Sequence, residues 1–213
     1  AWEEGEFFYD KTPAVFTAPE KAEKLCYDSF CGANLSKYLI EKAAEGKTCV
    51  LLKPCDTYSF NQLLTEHRID RDKIYVIGVG CDGMVDIEKV RVLGIKGITG
   101  VTENGAELIV HTVYGDKTCK KADCLLEKCL SCKGKKHFAY DELIPAQDGE
   151  EETPAGRFDM VEKLQSMSPK ERFDFWQNEL SKCIRCNACR NACPACTCRK
   201  CIFDNPASGV AAK

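Results

Sequence analysis

The sequence predicts an α/β domain, a small mixed sheet with a βαβ unit and an antiparallel hairpin, followed by a small cysteine-rich α-helical module. Three observations carry this expectation. Two short apolar runs, Thr48-Cys49-Val50-Leu51-Leu52 and Ile74-Tyr75-Val76-Ile77-Gly78-Val79, flank a segment of helical spacing. Asn104-Gly105 separates two β-rich runs, the pattern of a tight hairpin. Seven of the sixteen cysteines fall between Cys183 and Cys201. A length of 213 residues allows one core of ordinary size plus a small appended module.

Along the chain, Trp2, Phe7, Phe8 and Tyr9 form an aromatic knot without clear period, expected to pack within the domain. From Asn34 the pattern turns helical, with Leu35, Tyr38, Leu39 and Lys42 in step and Gly46 as the stop. The first apolar run is a strand of the kind buried in a parallel sheet, and it ends at Lys53-Pro54-Cys55-Asp56. Thr57 to Arg68, with Phe60, Leu63 and Leu64 on one face, reads as a helix, and the second run is a strand that ends at Gly80-Cys81-Asp82-Gly83. Sites in such units lie beyond the carboxyl ends of the strands, so Cys55 and Cys81 are expected close together. Ile98 to Val113 forms the hairpin flap, in which His111 reads as an ordinary strand histidine.

Cys119, Cys124, Cys129 and Cys132 follow, at spacings that match no familiar zinc ribbon. They form either a self-contained zinc knot or, through Cys129 and Cys132, part of a shared site with Cys55 and Cys81. Lysines 120, 121, 128, 133, 135 and 136 either offset an all-thiolate centre or form solvated surface. The polar, acidic stretch from Asp141 to Arg157 reads as a linker, which places a cluster-binding domain at 1–140 and a second module at 158–213. Ser168-Pro169-Lys170-Glu171 has the cap, the proline and the closing glutamate of a helix start. The stripe Phe173, Trp176 and Leu180 is expected to dock that helix on the first domain or a partner.

The helix delivers the chain to Cys183-Ile-Arg-Cys186-Asn-Ala-Cys189-Arg-Asn-Ala-Cys193-Pro194, the bacterial ferredoxin run that wraps a 4Fe-4S cube. Tetrahedral zinc calls for two CxxC pairs, not three consecutive steps and a Cys-Pro. In two-cluster ferredoxins the cysteine before proline serves the other cube. Here the closing thiolate for Cys183, Cys186 and Cys189 is expected from Cys193, Cys196, Cys198 or Cys201. So many clustered cysteines without a signal peptide point to a metal protein of a reducing cytoplasm rather than a secreted disulfide scaffold. No apolar run reaches the ~20 residues of a membrane helix, and a formal charge of -3 supplies no basic face for nucleic acid.

The Lys-Pro-Cys55-Asp turn, the Gly-Val-Gly-Cys81 turn, the Cys129-Leu-Ser-Cys132 pair and a tail with Trp176 ahead of Cys183 to Cys201 resemble the β subunit of methanogen-type formate dehydrogenase. The core also resembles the β subunit of the hydrogenase that reduces the deazaflavin coenzyme. The resemblance implies that Cys55, Cys81, Cys129 and Cys132 hold one cubane and that Cys183, Cys186 and Cys189 hold another. It implies FAD beside the first cluster and electron exchange with a deazaflavin coenzyme or a partner's flavin. The family's glycine-rich N-terminal flavin segment has no counterpart here, so less than a full complement of FAD is expected. The helical insert after Cys81 is shortened, and a second ferredoxin run is absent after Cys201.

The function expected is that of an electron-transfer subunit without its own catalytic site, relaying electrons between 4Fe-4S clusters. Its setting would be a multi-subunit anaerobic oxidoreductase of the hydrogenase, formate dehydrogenase or heterodisulfide-reductase type, with other redox subunits as partners. A flavin-containing subunit working on a deazaflavin or nicotinamide coenzyme, and a zinc-stabilised interaction module, are the alternatives. The relay is favoured because cluster ligands abound while GxGxxG, P-loop and Cys/His nucleophile patterns are missing.

Overall fold

The computed structural model describes residues 1–144, 149–151, 153–184, 186–193, 195–198, 201 and 207. It divides the chain into two units, Ala1–Pro154 and Ala155–Lys213. Pro194, the last residue of the ferredoxin run, and residues 145–148 and 152 of the acidic stretch lie outside the described residues.

In the first unit, β1 (Trp2–Glu4), β2 (Lys11–Pro13) and β3 (Leu25–Cys26) form a small antiparallel sheet in the order β2-β1-β3. These strands are too short to show a period, and Trp2 at their centre is fully buried. Helix α1 (Leu39–Glu45) follows a single 3-10 turn and buries Leu39 and Ala43. Next come β4 (Thr48–Leu52), α2 (Pro54–Thr65) and β5 (Ile74–Val79). The two strands pair in parallel, Thr48 with Ile74 through Leu52 with Gly78, so α2 is the crossover of a βαβ unit. Leu52, Phe60, Leu63 and Val76 are fully buried, because β4 and β5 present their apolar residues to α2 and to the N-terminal sheet.

Helix α3 (Ile87–Val92) starts at Asp86, whose carboxylate accepts the Glu88 N–H at 2.9 Å. A second antiparallel sheet then forms from β6 (Ile98–Asn104), β7 (Glu107–Thr112) and β8 (Lys117–Lys120), in that order. The Asn104-Gly105 hairpin is present, with Asn104 opposite Glu107 and Gly105 at φ +60°, where a glycine meets no Cβ penalty. Val85, Val90, Leu108, Val110 and Cys124 form its own small core. Short helix α4 (Glu127–Leu130) precedes β9 (Glu142–Ile144), which adds to β5 in parallel and completes the sheet β4-β5-β9. Residues 142–144 therefore belong to the sheet, although the surrounding stretch reads as a linker in sequence. The polar composition hides a strand held by its neighbours: the Asp141 carboxylate accepts the Val76 N–H at 2.7 Å and Arg71 Nη2 at 2.6 Å.

The second unit consists of α5 (Asp159–Ser166), α6 (Pro169–Ser181) and α7 (Ala188–Ala192). Helix α6 has the capping box read from the sequence: the Ser168 hydroxyl accepts the Glu171 N–H at 3.3 Å, and the Glu171 carboxylate accepts the Ser168 N–H at 2.8 Å. Phe173, Trp176 and Leu180 are all exposed on this helix.

Candidate metal centre

The strands of the βαβ unit run in parallel, so their carboxyl ends open on one edge of the sheet. Cys55 sits just beyond β4, in the first turn of α2, and Cys81 lies two residues beyond β5. Sequence reading takes Lys53-Pro54-Cys55-Asp56 as a turn before a helix beginning at Thr57, but the helix begins at Pro54. Proline at the first helical position and aspartate at the third are the start signals that reading passes over.

A second set of contacts brings in Cys129 and Cys132. The chain after the Cys81 turn pairs with the chain before α4: Val85 bridges Leu125, the Leu126 N–H donates to the Met84 carbonyl at 2.8 Å, and the Asp86 N–H donates to that of Cys124 at 2.8 Å. Gly83, at φ +96°, allows this approach, since a Cβ there would stand 2.8 Å from Leu125 Cδ2. Helix α4 then carries Cys129, and one further turn places Cys132, whose N–H donates to the Cys129 carbonyl at 3.3 Å.

The result is a cavity of about 570 Å³ lined by Cys55, Cys81, Cys129 and Cys132 together. Met84, Leu125 and Pro154 give it an apolar wall, and Lys53, Lys128 and Lys135 line it together with Asp82 and Glu150, Lys135 being paired with Asp82. The Met84 N–H points at Cys129 Sγ from 3.3 Å. Although Cys55 keeps exposed surface, desolvation at its sulfur pushes the thiol above its ordinary pKa, and the adjacent Asp56 pushes the same way. Burial also raises the Cys81 thiol, against a backbone hydrogen bond from Gly83 that favours its thiolate. Among the described residues, no three His, Cys, Asp or Glu side chains stand together as a site for a single metal ion.

Beneath Cys55 lies a feature that sequence reading missed. Lys53 and Asp56 are both buried and form an ion pair at 2.9 Å. The Lys53 ammonium also donates to the Ala33 carbonyl at 2.7 Å and sits 4.3 Å from the centre of the Trp2 ring, a cation–π contact. Tyr27 fastens the other turn, its hydroxyl donating to the Gly80 carbonyl at 2.6 Å. The only sequence signal for this support is the Lys-Pro-Cys-Asp quartet itself, in which a lysine and an aspartate fall three residues apart.

In the second unit, α6 leads to Cys183, whose N–H donates to the Leu180 carbonyl at 3.0 Å. Cys189 lies on α7, and Asn187 before it adopts the left-handed conformation at φ +62°. Backbone bonds from Cys193 to Cys189 (3.0 Å) and from Cys196 to Cys193 (3.1 Å) fold the run on itself. Cys183, Cys186, Cys189, Cys193 and Cys198 are exposed, and Cys196 and Cys201 are half-buried. His111 is held by polar neighbours of its own sheet, Nδ1 at 2.9 Å from Asp116 and Nε2 at 3.1 Å from the Thr102 hydroxyl.

No family model matches the sequence. The F420-dependent formate dehydrogenase subunit beta of Methanocaldococcus jannaschii is 22% identical, over 96% of this chain and 69% of that protein. The F420-dependent formate dehydrogenase 1 subunit beta of Methanococcus maripaludis is 25% identical, over 95% of this chain and 68% of that protein. Along nearly its whole length the chain is similar to these β subunits. Its fold is also similar to that of a chain in the F420-reducing [NiFe] hydrogenase complex from Methanosarcina barkeri, with a TM-score of 0.51 at 15% identity over 85% of this chain and 77% of that one. Among the described residues, no helix is long and apolar enough to cross a membrane.

Proposed function

We propose that this chain is an iron–sulfur electron-transfer subunit of a multi-subunit oxidoreductase, in which Cys55, Cys81, Cys129 and Cys132 hold one 4Fe-4S cluster and the ferredoxin-like tail holds a second. The observation that carries the reading is that four thiols, brought in by separate turns between positions 55 and 132, line one cavity. A space of about 570 Å³ suits a cube that takes one thiolate at each iron, and far exceeds what one tetrahedral ion needs. When bound, such a cluster accepts and passes on single electrons.

The chain's own residues suit that task. Lys128 adds positive charge beside the four thiolates, and the Met84 and Gly83 N–H groups direct hydrogen bonds at Cys129 and Cys81. Met84 and Leu125 keep water off one face of the cavity. In the tail, Cys183, Cys186 and Cys189 would hold the second cube, with a closing thiolate from Cys193, Cys196, Cys198 or Cys201. The relatives are named as subunits of F420-dependent formate dehydrogenases, which supports a place in a redox complex and a deazaflavin coenzyme at the far end of the electron path.

The visible spectrum and metal content of the anaerobically purified chain test the reading. Broad absorbance bleached by dithionite, with about eight irons per chain for two cubes, is expected. A colourless protein carrying zinc would overturn it, and a structured flavin band with stoichiometric FAD would replace the relay by a flavoenzyme.

A further inference from the structure

Outside the cavity and the tail, one pair of thiols stands in contact. Cys119 Sγ and Cys124 Sγ are 3.8 Å apart. Cys119 lies on β8, the edge strand of the second sheet, opposite Leu108, and is half-exposed. Cys124 is fully buried in the apolar cluster of Val85, Val90, Leu108 and Val110. Among the described residues no third Cys, His, Asp or Glu joins them to make a metal site. Two thiols in contact, one reachable from solvent and one enclosed by hydrocarbon, have the arrangement of a dithiol.

We propose that Cys119 and Cys124 form a reversible dithiol–disulfide couple that exchanges with small-molecule disulfides. Cys119 is the attacking sulfur, because solvent reaches it, whereas burial pushes the Cys124 thiol up to about 12. The Cys119 thiolate attacks one sulfur of the small disulfide, forming a mixed disulfide and releasing the first small thiol. Cys124 gives up its proton and attacks Cys119 Sγ, which forms the Cys119–Cys124 bond and releases the second small thiol. Two protein thiols are oxidised and one external disulfide is reduced to two thiols. To form the bond the sulfurs close from 3.8 Å to the ~2.05 Å of a disulfide.

The couple is placed where its state is felt. The Cys124 carbonyl accepts the Asp86 N–H, and the next two residues bind Val85 and Met84, the strip that holds α4 against the Cys81 turn. A bond from Cys124 to β8 would tie that strip to the second sheet.

The test uses the full chain, reduced anaerobically and then equilibrated with oxidised glutathione, acid-quenched, alkylated and digested with trypsin. Cleavage after Lys117, Lys120, Lys121 and Lys128 separates the two cysteines, so the bond appears as peptide 118–120 joined to peptide 122–128. The joined pair is expected to form, to vanish with excess reduced dithiothreitol, and to be absent from Cys119→Ser, while that variant keeps its full iron content. Separate alkylation of both cysteines after oxidation, or bonds from either to another cysteine, would overturn the proposal. Loss of iron in Cys119→Ser would do so too, by making Cys119 a metal ligand. The wild-type cross-link stands as a test even if the variant does not fold, and its result is independent of whether the cavity holds a cluster.

Discussion

The cysteine-lined cavity and the cysteine-rich tail gather their thiols in opposite ways. In the cavity, Cys55 and Cys81 meet because parallel strands end on one edge, and Cys129 and Cys132 join them through the pairing of Met84–Asp86 with Cys124–Leu126. In the tail the thiols are neighbours in the chain, folded together by α7 and a few backbone bonds. A site of the first kind exists only when the domain is folded, and whatever it binds stabilises that fold. A site of the second kind is written in local spacing.

The sharpest way to break this comparison is to remove one thiol from each. Cys55→Ser should cost about four irons per chain and lower the melting temperature of the first unit. Cys186→Ser should cost a similar number of irons and the tail's low-temperature EPR signal, with the first unit's transition unmoved. Iron analysis and calorimetry on both variants decide the matter. Equal thermal shifts, or undiminished iron in Cys55→Ser, would end the distinction.

The support under the cavity gives the next effect in size. Asp56→Ala would leave the Lys53 ammonium buried without its carboxylate, a loss on the order of 3–5 kcal/mol for a broken buried pair. Urea denaturation should show the transition of the first unit moving to much lower denaturant. Replacing the pair together by Met and Leu should recover most of that loss, because the two desolvation costs vanish with the two charges. No comparable substitution exists in the described part of the tail, where the ion pairs, such as Lys170–Asp174 and Lys182–Glu179, lie on the surface.

The same contrast explains what could be read in advance. β4 and β5 were legible to the residue because short apolar runs bounded by turn residues have few other uses, and the hairpin was legible from Asn104-Gly105. The tail's cysteine spacing was legible as a pattern because spacing is local. The N-terminal sheet was not, since strands of two or three residues carry no period. β9 was hidden in a polar stretch, as its place depends on Arg71 and Val76, some seventy residues earlier. Lys53 is the hardest case: lysine is almost never fully buried unless paired, and nothing in the sequence says that Trp2, Ala33 and Asp56 will surround it. The convergence of Cys129 and Cys132 on the other two thiols followed from family resemblance and not from periodicity, because it depends on strand and turn contacts far apart in the chain.

The smallest effect concerns how β9 is fastened to the sheet that bears the cavity. Asp141 accepts hydrogen bonds from Arg71 and the Val76 N–H, and its own N–H donates to the Val76 carbonyl at 2.8 Å. The Arg71 guanidinium holds the Asp141 carboxyl below its ordinary value of 3.8, with the Val76 N–H adding to it and partial burial opposing. A carboxyl whose pKa is depressed in the folded state binds its proton more readily in the unfolded chain. Its stabilising contribution is therefore complete at neutral pH, declines as pH falls through 3.8, and is gone once the pH lies below the folded-state value. The pair is partly open to solvent, so the contribution is modest, about 1 kcal/mol or less. Asp141→Asn should then unfold at lower urea than the parent near neutral pH, and the two midpoints should converge as the pH is lowered below the ordinary carboxylate range. A gap that stays constant across that range would mean that Asp141 acts through packing or neutral hydrogen bonds rather than through its charge.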